Sequence, residues 1–349
     1  MSEADMQATG GAAWQAKPLI IARTISPMLT ILSVTFPFFA LVFAGYLAAR
    51  RGWLPLAAIP GLNIFVLYFA LPCMLFRFGA STPMAQLFNP SVALLYALSA
   101  LCMLVIGMWL LRRFSQHWNN TAFGTMAIAF PNTGYMGLPL LLNLFGPAAV
   151  GTAIVTILVD VFFTSSVCIA MSRLDHAEVH GVRSAGLKAI KSVFSIPLTW
   201  GIGLGAVFSA NAWVLPDLLN NTVGLLAAAA APVALFTIGA VLVRPPDAPA
   251  QPWLSWRSGG LDMVLTVIKL LVHPLLAGTL GWLLMRAGLP LSLENLTTVV
   301  LVAALPSASN TALLAQRFGA DSACITRVIL LTTALAFPSF SAWVSFFKG

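Results

Sequence analysis

The chain has 349 residues, of which 59% are hydrophobic and only 8% charged, whereas a soluble domain has about 25% charged residues. This composition excludes a soluble globular domain and indicates a membrane protein. The net charge of +8 comes from basic residues scattered over short loops rather than gathered on one face, so it does not indicate a nucleic-acid partner.

Ten apolar stretches are long enough to cross a bilayer, because about 20 helical residues span a hydrocarbon layer of about 30 Å. They lie at residues 28–49, 58–78, 91–111, 122–146, 149–171, 193–210, 217–243, 262–285, 296–317 and 323–346. The sequence therefore predicts an all-α membrane protein with ten transmembrane helices in the lipid bilayer.

The basic residues between these stretches predict the orientation of the chain. With the N-terminus outside, eleven Arg and Lys residues fall in cytoplasmic loops and five in outside segments. Cytoplasmic loops of membrane proteins carry such an excess of positive charge. We therefore expect a multi-pass protein of the cell (inner) membrane with both termini extracytoplasmic.

The fourth span is interrupted by the stretch AFPNTGYMGLP at 129–139. Pro131 removes a backbone donor, and Gly134 tolerates unusual dihedral angles. Asn132 and Thr133 offer side chains to the freed backbone groups. In hydrocarbon such a break survives only where protein or a water-filled cavity satisfies the backbone, since each unpaired group costs several kcal/mol. A simple proline kink is the alternative explanation for a single site of this kind.

The fifth span carries a polar stripe made of Thr152, Thr156, Asp160 and Thr164. These residues recur at every fourth position and so share one helix face. A carboxyl group inside a membrane span indicates a functional role by default, and Asp160 is our candidate for a proton carrier. A structural role, as the partner of a basic residue or of a freed backbone group, is an equal alternative.

Two pairs of segments indicate an internal repeat. LPCMLFRFGA at 71–80 and APVALFTIGA at 231–240 are identical at five of ten positions, with an offset of 160 residues. The interruption at 129–139 aligns with ALPSASNTALL at 304–314. Either match alone is weak, but together they pair the second and fourth spans with the seventh and ninth. Because each half has an odd number of spans, the second half enters the membrane from the opposite side.

The predicted organisation therefore has four parts. They are an N-terminal extracytoplasmic segment (1–27), a first five-helix repeat (28–172), a cytoplasmic loop (173–192) and a second five-helix repeat (193–349). The fold class is two inverted five-helix repeats whose fourth and ninth helices are broken.

The eighth span places four polar residues on one helix face, namely Asp262, Thr266, Lys269 and His273. Lys269 lies about 10 Å from the start of the span, near enough to snorkel to the interface. The functional alternative is that Lys269 or His273 offsets helix-dipole charge at the break or attracts the substrate. His273 precedes Pro274, which favours a buried neutral histidine bonded to backbone. Arg77 and Arg327, near span ends, are expected to be interfacial anchors.

Interrupted helices at corresponding positions of inverted halves indicate a transporter's substrate site near the bilayer midplane. We predict helix breaks at Pro131 and Pro306 and a substrate-binding site that comprises Asn63, Asn132, Thr133, Gly134, Tyr135, Ser307, Ser309 and Asn310. Asn63 could equally make an ordinary helix-to-helix hydrogen bond. Half-helix N-termini favour a carboxylate. The C-terminal ends of the other half-helices meet there too and could hold a cation, so dipoles alone leave the sign open.

Several catalytic signatures are missing from the sequence. It contains no GxxxxGK[ST] phosphate loop, no HExxH zinc pair and no GxSxG elbow, and its four cysteines fall in four different spans. We therefore expect no enzyme, no cofactor and no metal. Coupling to H⁺ or Na⁺ is left open by the residues, and Asp160, Lys269 and His273 are the candidates for coupling or charge compensation.

The segments AFPNTGYMGLPL, LNIFVLYFALPCMLF, APVALFTIGA and KLLVHPLL resemble the auxin efflux carrier family, which includes bacterial malonate and malate permeases. The resemblance covers essentially all ten spans. It implies the inverted fold of bile-acid symporters and sodium/proton antiporters, with a moving core that slides against a scaffold, in a homodimer. Asn132 matches the asparagine of the family's fourth-span motif, and Pro131 and Pro306 match its two crossover prolines.

The residues and the resemblance together predict a secondary transporter that moves small organic acid anions by elevator-type alternating access. The substrate would be a dicarboxylate such as malonate or malate, or an auxin-like carboxylate. One alternative is a sodium-coupled symporter of bile-acid-like or inorganic anions. Another is a membrane sensor that binds a ligand without moving it.

Overall fold

A computed structural model describes residues 27–83, 89–115, 117–174, 197–241, 243, 259–320 and 322–348. The predicted N-terminal segment and most of the predicted cytoplasmic loop therefore lie outside the described residues. Within these ranges the structure is helical and has no strand.

The described part of the chain forms twelve helices. They are α1 (Pro27–Arg50), α2 (Leu56–Ser81), α3 (Pro90–Leu111), α4 (Trp118–Ala129), α5 (Leu138–Phe145), α6 (Pro147–Ser172), α7 (Pro197–Ala210), α8 (Asp217–Val241), α9 (Gly260–Arg286), α10 (Leu293–Ala303), α11 (Asn310–Arg317) and α12 (Ser322–Lys348). Of these described helices, six are long and apolar enough to cross a membrane: α2, α3, α6, α8, α9 and α12. The predicted fourth span consists of α4 and α5, and the predicted ninth span of α10 and α11.

Four turns widen to π-helical geometry. They are Val66–Ala70 in α2, Thr133–Gly137 before α5, Asp160–Thr164 in α6 and Ile268–Val272 in α9. Three of them are followed two positions later by a proline, namely Pro72, Pro139 and Pro274. Proline lacks an N–H and its ring clashes with the carbonyl four residues earlier, so a wider turn accommodates it. The turn at Asp160 has no such proline; there Ser165 Oγ donates to the Asp160 carbonyl (2.9 Å).

The helices pack in two groups. In the first, which we call the four-helix group, α1 packs along α8, α7 packs along α2, and α2 contacts α8. The second, the eight-helix group, contains α3 to α6 and α9 to α12, with α4 and α10 at its centre. Every residue of α4 from Thr121 to Ala129 is buried. The interrupted helices are thus enclosed by protein, as backbone irregularity inside a membrane requires.

Glycines allow two helix pairs of the four-helix group to touch backbone to backbone. A Cβ on Gly45 of α1 would overlap the Phe236 carbonyl of α8, and a Cβ on Gly239 would overlap that of Val42. On the other pair, a Cβ on Gly205 of α7 would lie 2.5 Å from the Phe76 carbonyl oxygen of α2.

These contacts repeat with one offset along the chain. Gly45 and Gly205 are 160 residues apart, as are Gly79 and Gly239. Gly79 lies against Gly205, just as Gly239 lies against the α1 backbone beside Gly45. Helix α1 therefore packs on α8, and α7 packs on α2, through glycines related by the same offset of 160 residues.

A substitution at Gly205 tests this close packing. Gly205→Ala should destabilise the fold by about 1–3 kcal/mol because the added methyl overpacks a backbone contact. Gly203→Ala on the same helix is the matched control, since a Cβ there meets nothing within 4 Å; it should be neutral or slightly stabilising. Thermal unfolding of the purified variants measures both, and equal midpoints would contradict the packing described.

Candidate functional site

The two helix interruptions meet. Pro131 and Ser307 form an isolated antiparallel bridge. The Asn132 N–H donates to the Pro306 carbonyl (2.8 Å), and the Ala308 N–H donates to the Phe130 carbonyl (3.0 Å). Each break therefore satisfies backbone groups of the other, which is how two irregular segments persist inside an apolar protein.

Other freed backbone groups are satisfied nearby. The Ser307 N–H donates to Thr332 Oγ1 of α12 (3.2 Å). The Asn132 carbonyl accepts from the N–H groups of Met136 (3.1 Å) and Gly137 (3.0 Å). Hydrogen bonds thus hold the backbone of both breaks in place, and the side chains around them are left for other partners.

Four buried polar atoms at the breaks have no hydrogen-bond partner among the described residues: Thr133 Oγ1, Ser307 Oγ, Asn310 Oδ1 and Thr311 Oγ1. Ser307 and Thr311 are completely buried and Thr133 is 2% exposed. An unpaired buried polar group costs about 1–3 kcal/mol. Native proteins rarely retain such groups without a function, and a polar ligand at the breaks would pair them.

A pocket lies beside the breaks, between the four-helix group and the eight-helix group. Its cavity volume is about 30 Å³, and it is lined by Asn63 of α2, Ile238 and Val241 of α8, Ser309 just before α11, Ala312 of α11, and Thr326, Ile329 and Leu330 of α12. The structure therefore brings together two predicted site residues, Asn63 and Ser309. Tyr135 and Gly134 sit on the wide turn before α5, where Tyr135 is buried.

Asp160 lies in a buried polar cluster. Its Oδ2 accepts from the Tyr96 hydroxyl (2.8 Å) and its Oδ1 accepts from Thr164 Oγ1 (3.0 Å). Asp160, Tyr96 and Thr164 are all completely buried. Sequence reasoning missed Tyr96; the available signal was a hydroxyl group inside an otherwise apolar span.

Lys269 is also completely buried. Its Nζ donates to the Ala303 carbonyl (3.1 Å) and lies 2.9 Å from His273 Nδ1. Ala303 is the last residue of α10, so the ammonium group faces the negative end of that half-helix. Full burial contradicts snorkelling. The expected bond from His273 to backbone is also replaced: Nδ1 faces Lys269, and Nε2 has no partner in the described part of the protein.

A second buried carboxyl corrects the expectation for Arg327. Arg327 Nε donates to Asp262 Oδ2 (2.5 Å), and Cys324 Sγ donates to Oδ1 of the same carboxyl (3.2 Å). The Arg327 side chain is 21% exposed. Arg327 therefore joins α12 to α9 as the partner of a buried charge, and it is not an interfacial anchor.

Comparison with known proteins gives one consistent result. A family model described as "Membrane transport protein" matches residues 30–344. The chain is 30% identical to a "Putative malonate transporter" of Rhizobium meliloti (strain 1021), over 88% of this chain and 93% of that protein. It is 26% identical to an "Uncharacterized transporter" of Methanothermobacter thermautotrophicus (90% and 96%) and 23% identical to "Uncharacterized transporter YfdV" of Escherichia coli (strain K12) (81% and 86%).

Proposed function

Since this chain belongs to the membrane transport protein family, as its resemblance to the auxin efflux carriers predicted, we propose that it is a secondary transporter of small organic acid anions. The substrate would be a dicarboxylate such as malonate or malate, or an auxin-like carboxylate. The name of the Rhizobium relative supports a short dicarboxylate. The resemblance also leads us to propose a homodimer in the inner membrane.

We propose ten crossings in two inverted repeats, with each interrupted pair, α4–α5 and α10–α11, counted as one. The glycine contacts support this arrangement, because they relate α1 to α7 and α2 to α8 with a single offset of 160 residues. With both termini outside, the cytoplasmic ends would include Arg50, Val241 and Arg317.

The observation that carries the proposal is the joined pair of breaks with unpaired polar groups around it. The hydroxyls of Thr133, Ser307 and Thr311 can donate to carboxylate oxygens. At the start of α11 and of the turn before α5, the N–H groups of Thr311 and Thr133 already donate to the carbonyls of Ala308 and Pro131, so the donors left for an anion are these side-chain hydroxyls. A carboxylate, which only accepts hydrogen bonds when ionised, matches this set of donors.

Alternating access would proceed by movement of the eight-helix group against the four-helix group. The pocket with Asn63 and Ser309 lies between these groups, and in the proposed orientation it is near the cytoplasmic end, because Val241 ends α8. The structure would then correspond to the conformation in which the pocket is open to the cytoplasm.

Counterflow in proteoliposomes tests the function. Vesicles preloaded with unlabelled malonate should accumulate labelled malonate transiently, in the absence of sodium as well as in its presence. A sensor would bind malonate without exchange, and a sodium symporter would exchange only with sodium. Either result would contradict a sodium-independent carrier of organic acid anions.

Removing the unpaired hydroxyls should separate binding from stability. Thr133→Val and Ser307→Ala should each weaken malonate binding by about 10- to 150-fold, the equivalent of about 1.5–3 kcal/mol for a hydrogen bond to a charged group. Their unfolding midpoints should stay the same or rise, because neither hydroxyl has a hydrogen-bond partner among the described residues. Thr332→Val is the control: it removes the acceptor of the Ser307 N–H and should lower the midpoint. Unchanged affinity with lowered midpoints in the first two variants would contradict the site.

A further inference from the structure

We propose that Asp160 and Lys269 form a charge-compensating pair that couples one proton to each substrate molecule carried. While both groups are ionised, they neutralise each other. When Asp160 takes up a proton, the Lys269 charge is left for the carboxylate of the substrate. This inference rests on the proposed carrier function and assigns its coupling ion.

A continuous path of contacts connects the carboxyl group to the breaks. Asp160 accepts from Tyr96 (2.8 Å), and the Tyr96 and His273 ring centroids are 6.5 Å apart. His273 Nδ1 contacts Lys269 Nζ, which donates to the Ala303 carbonyl. Ala303 is three residues before Pro306, whose carbonyl accepts from Asn132. This chain of contacts therefore links the charge of Asp160 to Lys269 and to the backbone of the breaks.

The ionisable groups around Asp160 leave Lys269 as its counter-charge. Of the helices that pack against α6, α3 contributes Tyr96 and the turn before α5 contributes Tyr135, while α4 and α5 contribute no charged residue. Glu294 of α10 is exposed. Lys269 of α9 is reached from Asp160 by way of Tyr96 and His273. Asp262, also a buried carboxyl in the described part of the chain, already has Arg327 as its partner.

Charge balance explains why the two events should be coupled, because uncompensated charge inside a membrane is costly. The empty pair, Asp⁻ with Lys⁺, is neutral. With protonated Asp160 and Lys⁺, the bound malonate dianion leaves one negative charge on the site. The same dianion bound without the proton would leave two negative charges, so binding without proton uptake should be disfavoured.

Charge variants test the pair, with malonate binding measured at pH 6 and pH 8. Wild-type affinity should fall by up to about tenfold per pH unit as the pH rises, the limit for one linked proton. Asp160→Asn should bind at pH 8 as well as at pH 6. It should still exchange malonate but should lose accumulation driven by a pH gradient. Lys269→Gln should lose at least about tenfold in affinity at both pH values, and the double variant should be weak and independent of pH.

Asp262→Asn is the matched control, because it also removes a buried carboxyl with a basic partner but lies outside the pair. It should keep the wild-type pH dependence. The number of protons taken up on binding can be measured on the wild-type protein, so this test does not depend on the folding of a variant. When malonate is added to purified protein in weak buffer, the protein should take up about one proton per site.

Three results would overturn the inference while leaving carrier function intact. They are exchange without proton uptake on binding, wild-type pH dependence in Asp160→Asn, and wild-type affinity in Lys269→Gln. Absence of exchange of any carboxylate by the wild-type protein would overturn the proposed function and the inference with it.

Discussion

Asn132→Ala should weaken carboxylate binding by about 10- to 150-fold and abolish counterflow at substrate concentrations that saturate the wild type, while the protein stays folded. Asn132 is 3% exposed, at the junction of the two breaks. Its backbone N–H and carbonyl hold the junction, so truncation of the side chain leaves those bonds in place. The lost amide would remove a hydrogen bond to a charged ligand, worth about 1.5–3 kcal/mol.

A second asparagine on the same broken segment provides the control. Asn143 of α5 is exposed, and its Nδ2 donates to the Pro139 carbonyl (2.8 Å). Asn143→Ala should keep wild-type binding. Equilibrium binding of labelled malonate to the purified variants measures both effects. Wild-type affinity in Asn132→Ala would remove this residue from the site.

Cross-linking the two helix groups should stop exchange completely, because in the proposed elevator-type alternating access one group slides against the other. Val241 of α8 and Ala312 of α11 line the same pocket from opposite groups. In a protein whose four native cysteines are replaced and which still exchanges malonate, Val241→Cys with Ala312→Cys would be bridged by a bis-methanethiosulfonate. Counterflow should vanish and return when a reductant cleaves the bridge.

The control for this experiment joins two helices within one group. Thr152 of α6 donates to Asn295 of α10 (2.8 Å), and both helices belong to the eight-helix group. A disulfide in the pair Thr152→Cys and Asn295→Cys should leave counterflow active. Equal loss of exchange in both pairs, or full exchange by the cross-linked pair across the groups, would contradict elevator movement.

The helix breaks were predictable because their signal is local. A proline followed by small and polar residues stands out in an apolar span, and the sequence at Pro131 and at Pro306 is enough to indicate where each helix stops. The wide turns in α2 and α9 have a local signal as well, the proline two positions later. The turn at Asp160 has no such proline; there the Ser165 hydroxyl donates to the Asp160 carbonyl.

The partners of the buried charges were not predictable, because they come from distant parts of the chain. Tyr96 and Asp160 are 64 positions apart, and Lys269 bonds a carbonyl 34 positions away. Distance to the span's end made snorkelling one of two alternatives for Lys269 and favoured anchoring for Arg327. Both interpretations failed because the structure offers each side chain an acceptor inside the protein, which sequence position does not reveal.

The most direct test of the central claim is the location of a bound substrate analogue. In crystals of the protein soaked with bromomalonate, the anomalous bromine signal should lie beside the joined breaks, with a carboxylate within hydrogen-bond distance of Ser307 Oγ or Thr133 Oγ1. A bromine site elsewhere in the protein, with both hydroxyls still unpaired, would contradict the assignment of the breaks as the carboxylate site.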